Sequence, residues 1–157
     1  MTQTELTDFA ARYADAWSSR DPARLAAFYA ENGSLTVNAG TPAVGRKAVT
    51  AMARSFMTAF PDMIVRLDVV VPEGSHVVFR WIWTGTNTGP GGTGRAVRIR
   101  GCEEWTLDAD GRSPLATGRL TAWLRSLRRA KVRSPVRAPP GWSWIMSHLR
   151  IRPRRQG

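Results

Sequence analysis

The sequence predicts an α+β fold in which three helices precede a meander of long antiparallel strands. Two observations carry this prediction. Apolar residues recur at spacings of three and four as far as residue 60, and at alternate positions from residue 63 to residue 107. A sheet built from such strands has an apolar face, and the helices are the elements that can cover it. We therefore expect one sheet with the helices on a single face.

The first two helices are recognised by an apolar stripe and by end signals. One helix is expected from Thr4 to Ser19, because its apolar residues lie three or four positions apart. These residues are Leu6, Phe9, Ala10, Tyr13 and Trp17. Asp21 followed by Pro22 has the residue types of an N-cap and a first turn, which predicts a short second helix ending at Asn32-Gly33. The residues expected on its inward side are Leu25, Phe28 and Tyr29.

A brief strand and a third helix follow. The strand is predicted at Ser34–Asn38, and a loop then runs from Gly40 to Gly45. The third helix has an apolar stripe consisting of Val49, Met52, Phe56 and Phe60. Pro61 ends this helix.

The rest of the folded region contains three predicted strands separated by turns. The inward residues of the first strand are Met63, Val65, Leu67, Val69 and Val71. The turn Pro72-Glu73-Gly74-Ser75 leads to a second strand, whose inward residues are Val77, Phe79, Trp81 and Trp83. After a glycine-rich loop, the third strand runs from Val97 to Leu107 and ends at the turn Asp108-Ala109-Asp110-Gly111.

Positive charge is concentrated at the end of the chain. Residues 1–112 hold twelve Lys/Arg and twelve Asp/Glu, whereas residues 113–157 hold eleven Lys/Arg and no acid. The second segment also has five of the ten prolines, and its composition suits no regular packing pattern. We therefore predict one folded domain at residues 1–112, reaching to about 120 at most, and a basic Arg/Pro-rich tail at 113–157. Because the folded part is neutral, no specific nucleic-acid partner is expected.

Residue counts exclude several kinds of site. Cys102 is the single cysteine, and with His76 and His148 as the two histidines there is no Cys/His set spaced for zinc. No apolar run approaches the roughly 18 residues of a membrane span, and the N-terminus lacks the features of a signal peptide. We expect a cytoplasmic protein without a metal site.

The glycine-rich loop from Gly89 to Gly94 satisfies the pattern G-x-G-x-x-G. The dinucleotide fingerprint requires a helix after the glycines, so that the helix N-terminus can hold the pyrophosphate. Here the strand at Val97 follows instead. We interpret the segment as a hairpin loop, with a lesser role as a lid over a pocket mouth.

The third strand carries the most informative polar residue. Alternation places Glu103 on the same face as Gly101 and Trp105. A carboxyl group among apolar side chains loses hydration, which raises its pKa and makes it a candidate proton donor. The alternative is that Glu103 meets an arginine or lies in water at the end of the sheet, since buried glutamate is rare unless paired. Cys102, on the other face, is interpreted as a small apolar residue.

Tyr13 gains interest through Glu103. It lies on the buried stripe of the first helix, and a buried phenol needs a partner for its hydroxyl. Core packing is the simpler interpretation of Tyr13 alone. If Tyr13 and Glu103 converge in an apolar cavity, two neutral donors can stabilise an oxyanion that forms on a bound carbonyl group. The two residues are therefore the candidate catalytic pair.

Several segments resemble a known family. They are Arg12-Tyr13, the stretch from Asp21 to Phe28-Tyr29-Ala30-Glu31-Asn32, Trp83-Thr84-Gly85-Thr86-Asn87-Thr88-Gly89 and Gly101-Cys102-Glu103-Glu104-Trp105. With the order of elements over about residues 5–120, they are similar to the SnoaL-like polyketide cyclase and ester cyclase group of the nuclear transport factor 2-like superfamily. The resemblance implies a cone-like curved antiparallel sheet packed on three N-terminal helices, enclosing an apolar pocket. It also implies a homodimer built on the sheet.

The resemblance also implies roles for particular residues. Similarity to ketosteroid isomerase, a relative, puts Tyr13 at its oxyanion-hole tyrosine and Glu103 at its oxyanion-hole carboxylic acid. The aspartate base of the isomerase falls at Val37. The aspartate with which SnoaL-like sequences usually close their last strand falls at Thr121. Both acids are absent, so proton shuttling of the steroid type is not supported.

The functional hypothesis is a pocket for a small apolar molecule. Its candidate walls are Trp17, Phe56, Trp81, Trp83 and Trp105, and its candidate orienting residues are Asn38 and Asn87. With Glu103 and Tyr13 as donors, the protein would be a cofactor-independent cyclase or isomerase of a polyketide-like or terpenoid-like carbonyl compound. The alternative is a non-catalytic ligand-binding or dimerisation module of the same fold, which the missing aspartates favour.

Four interpretations of the tail are open. The sudden loss of acids suggests a segment read from a shifted frame. Helical spacing of Leu120, Trp123, Leu124 and Leu127 within Arg119–Arg133 would suit a helix that contacts an anionic membrane or a partner. The third interpretation, a disordered basic arm, could touch nucleic acid without sequence preference. Disorder without an evolved role is the one we favour.

Overall fold

The computed structural model describes residues 1–107 and 115–125 of the chain. In chain order, its elements are α1 Gln3–Ser18, α2 Pro22–Ala26, β1 Tyr29–Val37, β2 Ala43–Val44, α3 Arg46–Ala59, β3 Ile64–Glu73, β4 His76–Thr86, β5 Ala96–Leu107 and β6 Leu115–Arg125. The predicted α+β fold with three N-terminal helices is confirmed. The strands form one curved, unclosed sheet in the order β2-β1-β6-β5-β4-β3.

The sheet is mixed, which corrects the prediction of an antiparallel sheet. Strands β3 to β6 pair antiparallel with their neighbours, as the meander pattern predicts. The last strand, however, enters between β5 and β1 and runs parallel to β1. This pairing joins segments far apart in the sequence, for example Leu35 with Gly118, so no local pattern could reveal it.

Capping side chains fix where the first two helices begin. Thr2 and Glu5 form a reciprocal capping box at the start of α1, with the Glu5 carboxylate accepting from the Thr2 backbone N–H at 2.7 Å. The Asp21 carboxylate accepts from the backbone N–H groups of Ala23 and Arg24 at 3.0 and 3.2 Å. The predicted start of the second helix is therefore confirmed.

One core fills the space between helices and sheet. Buried side chains from α1, α2, α3 and the strands form a single cluster on the inner face. Helix α1 packs against β3, and α2 packs against α3. The Ser18 hydroxyl at the end of α1 also accepts from the backbone N–H of Val65 at 2.9 Å, which ties the helix to the sheet.

The second helix is shorter than predicted. It ends at Ala26, and Tyr29, which we expected on its inward side, instead begins β1. Asn32-Gly33 is therefore not a helix stop but part of a strand. A β-carbon at Gly33 would lie 2.6 Å from the backbone oxygen of Leu115 on β6, so the glycine permits close approach of the neighbouring strand.

The inward pattern predicted for β3 holds only for its first half. Pairing with β4 shifts between Leu67 and Val69, and this irregularity turns the following side chains to the opposite face. Val70 is therefore buried, whereas Val69, which we predicted to point inward, is 41% exposed.

The ordered sheet extends into the predicted tail. Strand β6 covers residues 115–125, beyond the boundary predicted at 112 to 120. The helix proposed from Arg119 to Arg133 is wrong as far as Arg125, because these residues pair with β5. The proposals of a shifted frame and of a disordered arm cover residues 113–157, of which residues 115–125 form β6. The rest of that tail and the turn at residues 108–111 lie outside the described residues.

The glycine-rich segment is the connection between β4 and β5, as predicted. Asn87 holds it in place: its amide donates to the Ala59 carbonyl at 3.0 Å, and its side-chain oxygen accepts from the Thr93 backbone N–H at 2.7 Å. The loop is thus anchored to the end of α3. Within the described part of the chain, no helix is long and apolar enough to cross a membrane.

Gly101→Ala tests the packing of the sheet's inner face. A β-carbon at Gly101 would overlap the Trp81 ring and the Thr121 backbone oxygen. We expect the substitution to lower the free energy of unfolding by about 1–3 kcal/mol in urea titrations, because the face is already filled. Thr106→Ala, exposed on the other face of the same strand, should cost less than about 1 kcal/mol. Equal losses would contradict this packing.

Candidate functional site

A cavity lies on the inner face of the sheet. It is lined by Trp17, Phe56, Met63, Val65, Phe79, Trp81, Trp83, Glu103 and Leu120. The empty space among these side chains is about 390 Å³, including its opening to solvent. Glu103 is the one ionisable side chain among these lining residues, and the wall is otherwise almost entirely apolar.

Strand alternation places Glu103 in this interior. Buried and outward residues alternate along β5, and Glu103 is completely buried beside Phe79 of β4 and Leu120 of β6. Its carboxyl group lies where a side chain at Gly118 would be: a β-carbon there would overlap Oε1 of Glu103 and lie 2.8 Å from the Tyr29 hydroxyl. The glycine thus makes room for the acid.

Two buried phenols contact the carboxyl group. The Tyr13 hydroxyl, from α1, lies 2.9 Å from Oε1 and 3.1 Å from Oε2 of Glu103. The Tyr29 hydroxyl, from the start of β1, lies 2.9 Å from Oε1. The two hydroxyl oxygens are 2.6 Å apart. Neither alternative for Glu103, an arginine partner or exposure at the sheet's end, is what the described residues show.

Burial raises the pKa of Glu103 to about 7, because the ionised form has lost its hydration. The hydroxyl groups of Tyr13 and Tyr29 act in the opposite direction by stabilising the carboxylate. The indole of Trp105 also favours the ionised form, although its N–H has no hydrogen-bond partner among the described residues. Near neutral pH, both forms of Glu103 are therefore populated.

The two phenols keep their protons. Burial raises the pKa of Tyr13 and of Tyr29 well above the ordinary value, and the nearby charge of Glu103 raises both further. Glu103 is therefore the group of the three that changes charge near neutral pH.

Aromatic rings pack around this cluster. The Trp105 ring stacks on Phe79 at 4.7 Å and meets the Tyr13 ring edge to face at 5.0 Å. Phe9 and Phe28 contact Tyr13 or Trp105 from the helix side. The rings exclude water and fix the Tyr13 side chain, so the hydroxyl is directed at the carboxyl group.

Comparison with known proteins agrees with this architecture. The sequence matches the family described as SnoaL-like domain over residues 10–113. The chain belongs to this family. A comparison with curated proteins finds no match.

Solved structures share the fold. A protein from Jannaschia sp. CCS1, described as a candidate SnoaL-like polyketide cyclase, superposes with a TM-score of 0.64 at 19% identity, covering 76% of this chain and 86% of that one. The epoxide hydrolase/cyclase-like enzyme SalBIII, described for pyran ring formation in salinomycin, gives 0.63 at 18%, covering 76% and 92%. A ketosteroid isomerase-like protein from Catenulispora acidiphila, in complex with trimethylamine, gives 0.63 at 14%, covering 72% and 83%. Such identities establish the fold alone.

In this SnoaL-like protein, the cavity contains five of the nine candidate residues. Trp17, Phe56, Trp81, Trp83 and Glu103 line it, as the sequence hypothesis requires. Tyr13 contacts Glu103 but is not among the lining residues. The predicted convergence of Tyr13 with Glu103 is therefore present, but the phenol lies behind the acid and not beside it at the cavity wall.

Three candidates lie elsewhere. Trp105 is fully buried against Tyr13 and Phe79, where it supports the cluster instead of forming a wall. Asn87 is engaged in the β4–β5 connection. Asn38 follows β1 with a positive φ of 50° and donates its backbone N–H to the Leu120 carbonyl at 2.7 Å. None of the three lines the cavity.

Tyr29 is the polar residue of the site that the sequence hypothesis missed, and Met63, Val65, Phe79 and Leu120 are wall residues that it did not name. The capping pattern at Asp21 assigns Tyr29 to a helix, and the alternation of buried residues in β1 is regular only from Gly33 to Val37. Because Glu31 is exposed and the register of β1 shifts between Tyr29 and Ser34, no regular spacing identified Tyr29 from the sequence. Val37 and Thr121 hold no acid, and the described residues contain no cluster of side chains suited to a metal ion.

Glu103→Gln tests the buried acid through stability. The folded-state pKa of about 7 exceeds the ordinary 4.5, so between these values the folded protein binds more protons than the unfolded chain. Its free energy of unfolding should therefore fall as pH rises through this range, by about 3 kcal/mol in total. Glu103→Gln should lack that decline.

Glu104→Gln is the matched control, because Glu104 is the exposed neighbour on the same strand. It should keep the wild-type decline in urea titrations between pH 5 and pH 8. If wild type and Glu103→Gln lose stability in parallel over this range, Glu103 does not have a raised pKa.

Proposed function

We propose that this SnoaL-like protein binds a small apolar carbonyl compound, polyketide-like or terpenoid-like, and that Glu103 catalyses its cyclisation or isomerisation. The proposed chemistry is acid–base and uses no metal or organic cofactor. The observation that supports it is a single carboxyl group, completely buried, that lines an otherwise apolar cavity.

The protonation state of Glu103 suits such a role. A general acid works best when its pKa is near the operating pH, because it is then protonated before the transfer and able to give up its proton. With a pKa of about 7, Glu103 meets this condition without any neighbouring charge. An exposed glutamate would be ionised and would have no proton to give.

The walls favour a flat or compact ligand. Aromatic side chains on the helices and on β4 line the cavity, and Phe56 packs edge to face against both Trp17 and Trp83 with ring centroids 5.9 Å apart. The enclosed space is small, so a ligand of several rings would have to use the opening and displace side chains. Apolar contact would bind the body of the ligand, and Glu103 would orient its polar atom.

The lack of a second acid limits the reaction. Glu103 is the only acidic residue buried among the described residues. A reaction that fits is one in which the same carboxyl group protonates the ligand and later takes a proton back. The proposed reactions are therefore isomerisations and cyclisations, in which the product keeps all the atoms of the substrate.

A non-catalytic ligand-binding module is the second candidate. Five aromatic side chains, of Trp17, Phe56, Phe79, Trp81 and Trp83, surround one carboxyl group in a small cavity. Aromatic rings with a nearby anion suit an organic ammonium ion. The Catenulispora acidiphila relative of the same fold holds trimethylamine, which supports testing such a ligand. Dimerisation on the sheet stays a prediction.

A ligand screen tests the first candidate. Aromatic polyketides and steroids that bind should raise the thermal unfolding midpoint, and hits should then be tested for turnover. We expect Glu103→Gln to lower kcat by about 10²-fold or more, since the acid step is lost, and Glu104→Gln to leave it unchanged. Binding without turnover would reject the enzyme and favour the module.

The pH dependence of binding separates the two ligand classes. Tetramethylammonium should bind the ionised form of Glu103, so its affinity should rise about tenfold between pH 6 and pH 8 for a pKa of about 7. A carbonyl ligand should bind the protonated form and show the opposite trend. Affinities measured by calorimetry that do not change with pH would place both ligands away from Glu103.

A further inference from the structure

When Glu103 is ionised, Tyr13, Tyr29 and Glu103 share too few hydrogens to form a hydrogen bond at every contact among them. Tyr13, Tyr29 and Glu103 form a triangle in which each residue contacts both others, through four oxygen–oxygen distances between 2.6 and 3.1 Å. The two phenols supply two hydrogens. One side of the triangle must then bring two oxygens together with no hydrogen between them, which is unfavourable in a buried site.

One added proton completes the triangle. With Glu103 neutral, its Oε2–H can donate to the Tyr13 oxygen across 3.1 Å. The Tyr13 hydroxyl then donates to the Tyr29 oxygen across 2.6 Å, and the Tyr29 hydroxyl donates to Oε1 across 2.9 Å. Each hydroxyl hydrogen is used once, and each residue both donates and accepts.

We propose that Glu103, Tyr13 and Tyr29 form a closed ring of three hydrogen bonds when no ligand is bound, and that Glu103 alone can turn its proton towards the cavity. Glu103 is the ring member that lines the cavity, whereas the two tyrosines lie behind it. The bond that must open, from Oε2 to Tyr13, is the longest of the three. Tyr13 and Tyr29 are then positioning residues.

In the proposed proton transfer from Glu103 to the ligand, every bond that breaks is matched by one that forms. The Oε2–H bond breaks as a new bond forms between that proton and an oxygen or carbon of the ligand, and the electron pair stays on the carboxylate. The Tyr13 hydroxyl rotates from Tyr29 to Oε2, while Tyr29 continues to donate to Oε1. The buried anion thus gains a second donor at the moment it forms, and the ring closes again when the proton returns. This transfer rests on the proposed function, whereas the ring itself does not.

No other charge faces the ring among the described residues. Phe79 of β4 and the Gly118–Leu120 segment of β6 flank Glu103, and the inward residues there are apolar or glycine. Trp105 is the remaining polar neighbour on β5. Glu104 and Arg119 are exposed on the opposite side of the sheet. A pH response of these three side chains near neutrality therefore originates in the ring itself.

Carbon NMR of the full chain tests the ring. The protein has only two tyrosines, so labelling the tyrosine ζ carbons with ¹³C gives two signals, both from the ring, and Glu103→Gln identifies the Glu103 carboxyl signal. Between pH 5 and pH 9 we expect all three to change with one midpoint near 7, and Tyr13, which changes acceptor, to shift more than Tyr29. A tyrosine signal that stays constant, or a Glu103 already ionised at pH 5, would overturn the ring.

The Tyr29→Phe variant distinguishes the ring from an arrangement in which each tyrosine donates only to the carboxylate. Without the Tyr29 oxygen, Tyr13 must donate to Glu103 in both protonation states, so its pH-dependent shift should fall at least twofold. If each tyrosine donated only to the carboxylate, the Tyr13 shift would be unchanged, which would contradict the ring. If this variant does not fold, the wild-type titration still tests the ring.

Acetophenone labelled with ¹³C at its carbonyl tests which residue faces the ligand. Its carbonyl signal should show hydrogen bonding at pH 5.5, lose it at pH 8.5, and keep this behaviour in Tyr13→Phe. Loss of the hydrogen bond in Tyr13→Phe would reject Glu103 as the only donor. Failure to bind would contradict the proposed function and the transfer that rests on it, while the tyrosine titration tests the ring separately.

Discussion

The burial of one carboxyl group determines how the interior of this protein is arranged. An isolated ionised carboxylate in an apolar core is very unfavourable, so the fold must either supply partners or keep the group neutral. Here it does both: two phenols reach Glu103, and loss of hydration raises its pKa to about 7. Gly118 leaves room for the group, and Trp105 with Phe79 closes the space around it.

The topology explains how such distant residues meet. Tyr13 comes from a helix, Tyr29 from the first strand and Glu103 from the fifth. Strand β6 lies between β1 and β5, which places the gap at Gly118 between Tyr29 and Glu103. The position of β6 between β1 and β5 is therefore needed to form the site as well as the sheet. A tail that did not pair would leave the carboxyl group without its enclosure.

Local patterns predicted the parts of the molecule that local physics determines. Helix α1 and the face of β5 on which Glu103 lies follow from spacing alone, and so do most aromatic walls, whereas spacing left open whether Glu103 is buried or meets an arginine or water. Tyr29 was missed because helix-capping residue types near Asp21 indicated a helix, and the buried alternation of β1 is regular only from Gly33 to Val37. The shift after Leu67, the parallel pairing of β6 and the contribution of Leu120 to the cavity depend on contacts between distant segments. No spacing rule reports such contacts.

The proposed chemistry depends on a proton that remains on Glu103 in the folded protein. At pH 6, an exposed glutamate is ionised, whereas a carboxyl group with a pKa of about 7 is about nine-tenths protonated. An infrared difference spectrum between wild type and Glu103→Gln at pH 6 detects this state as the C=O stretch of a neutral carboxylic acid. We expect that band in wild type, and we expect it to vanish in the variant and to fade as the pH is raised to 8. A difference spectrum showing only carboxylate bands at pH 6 would contradict a protonated Glu103 and the chemistry built on it.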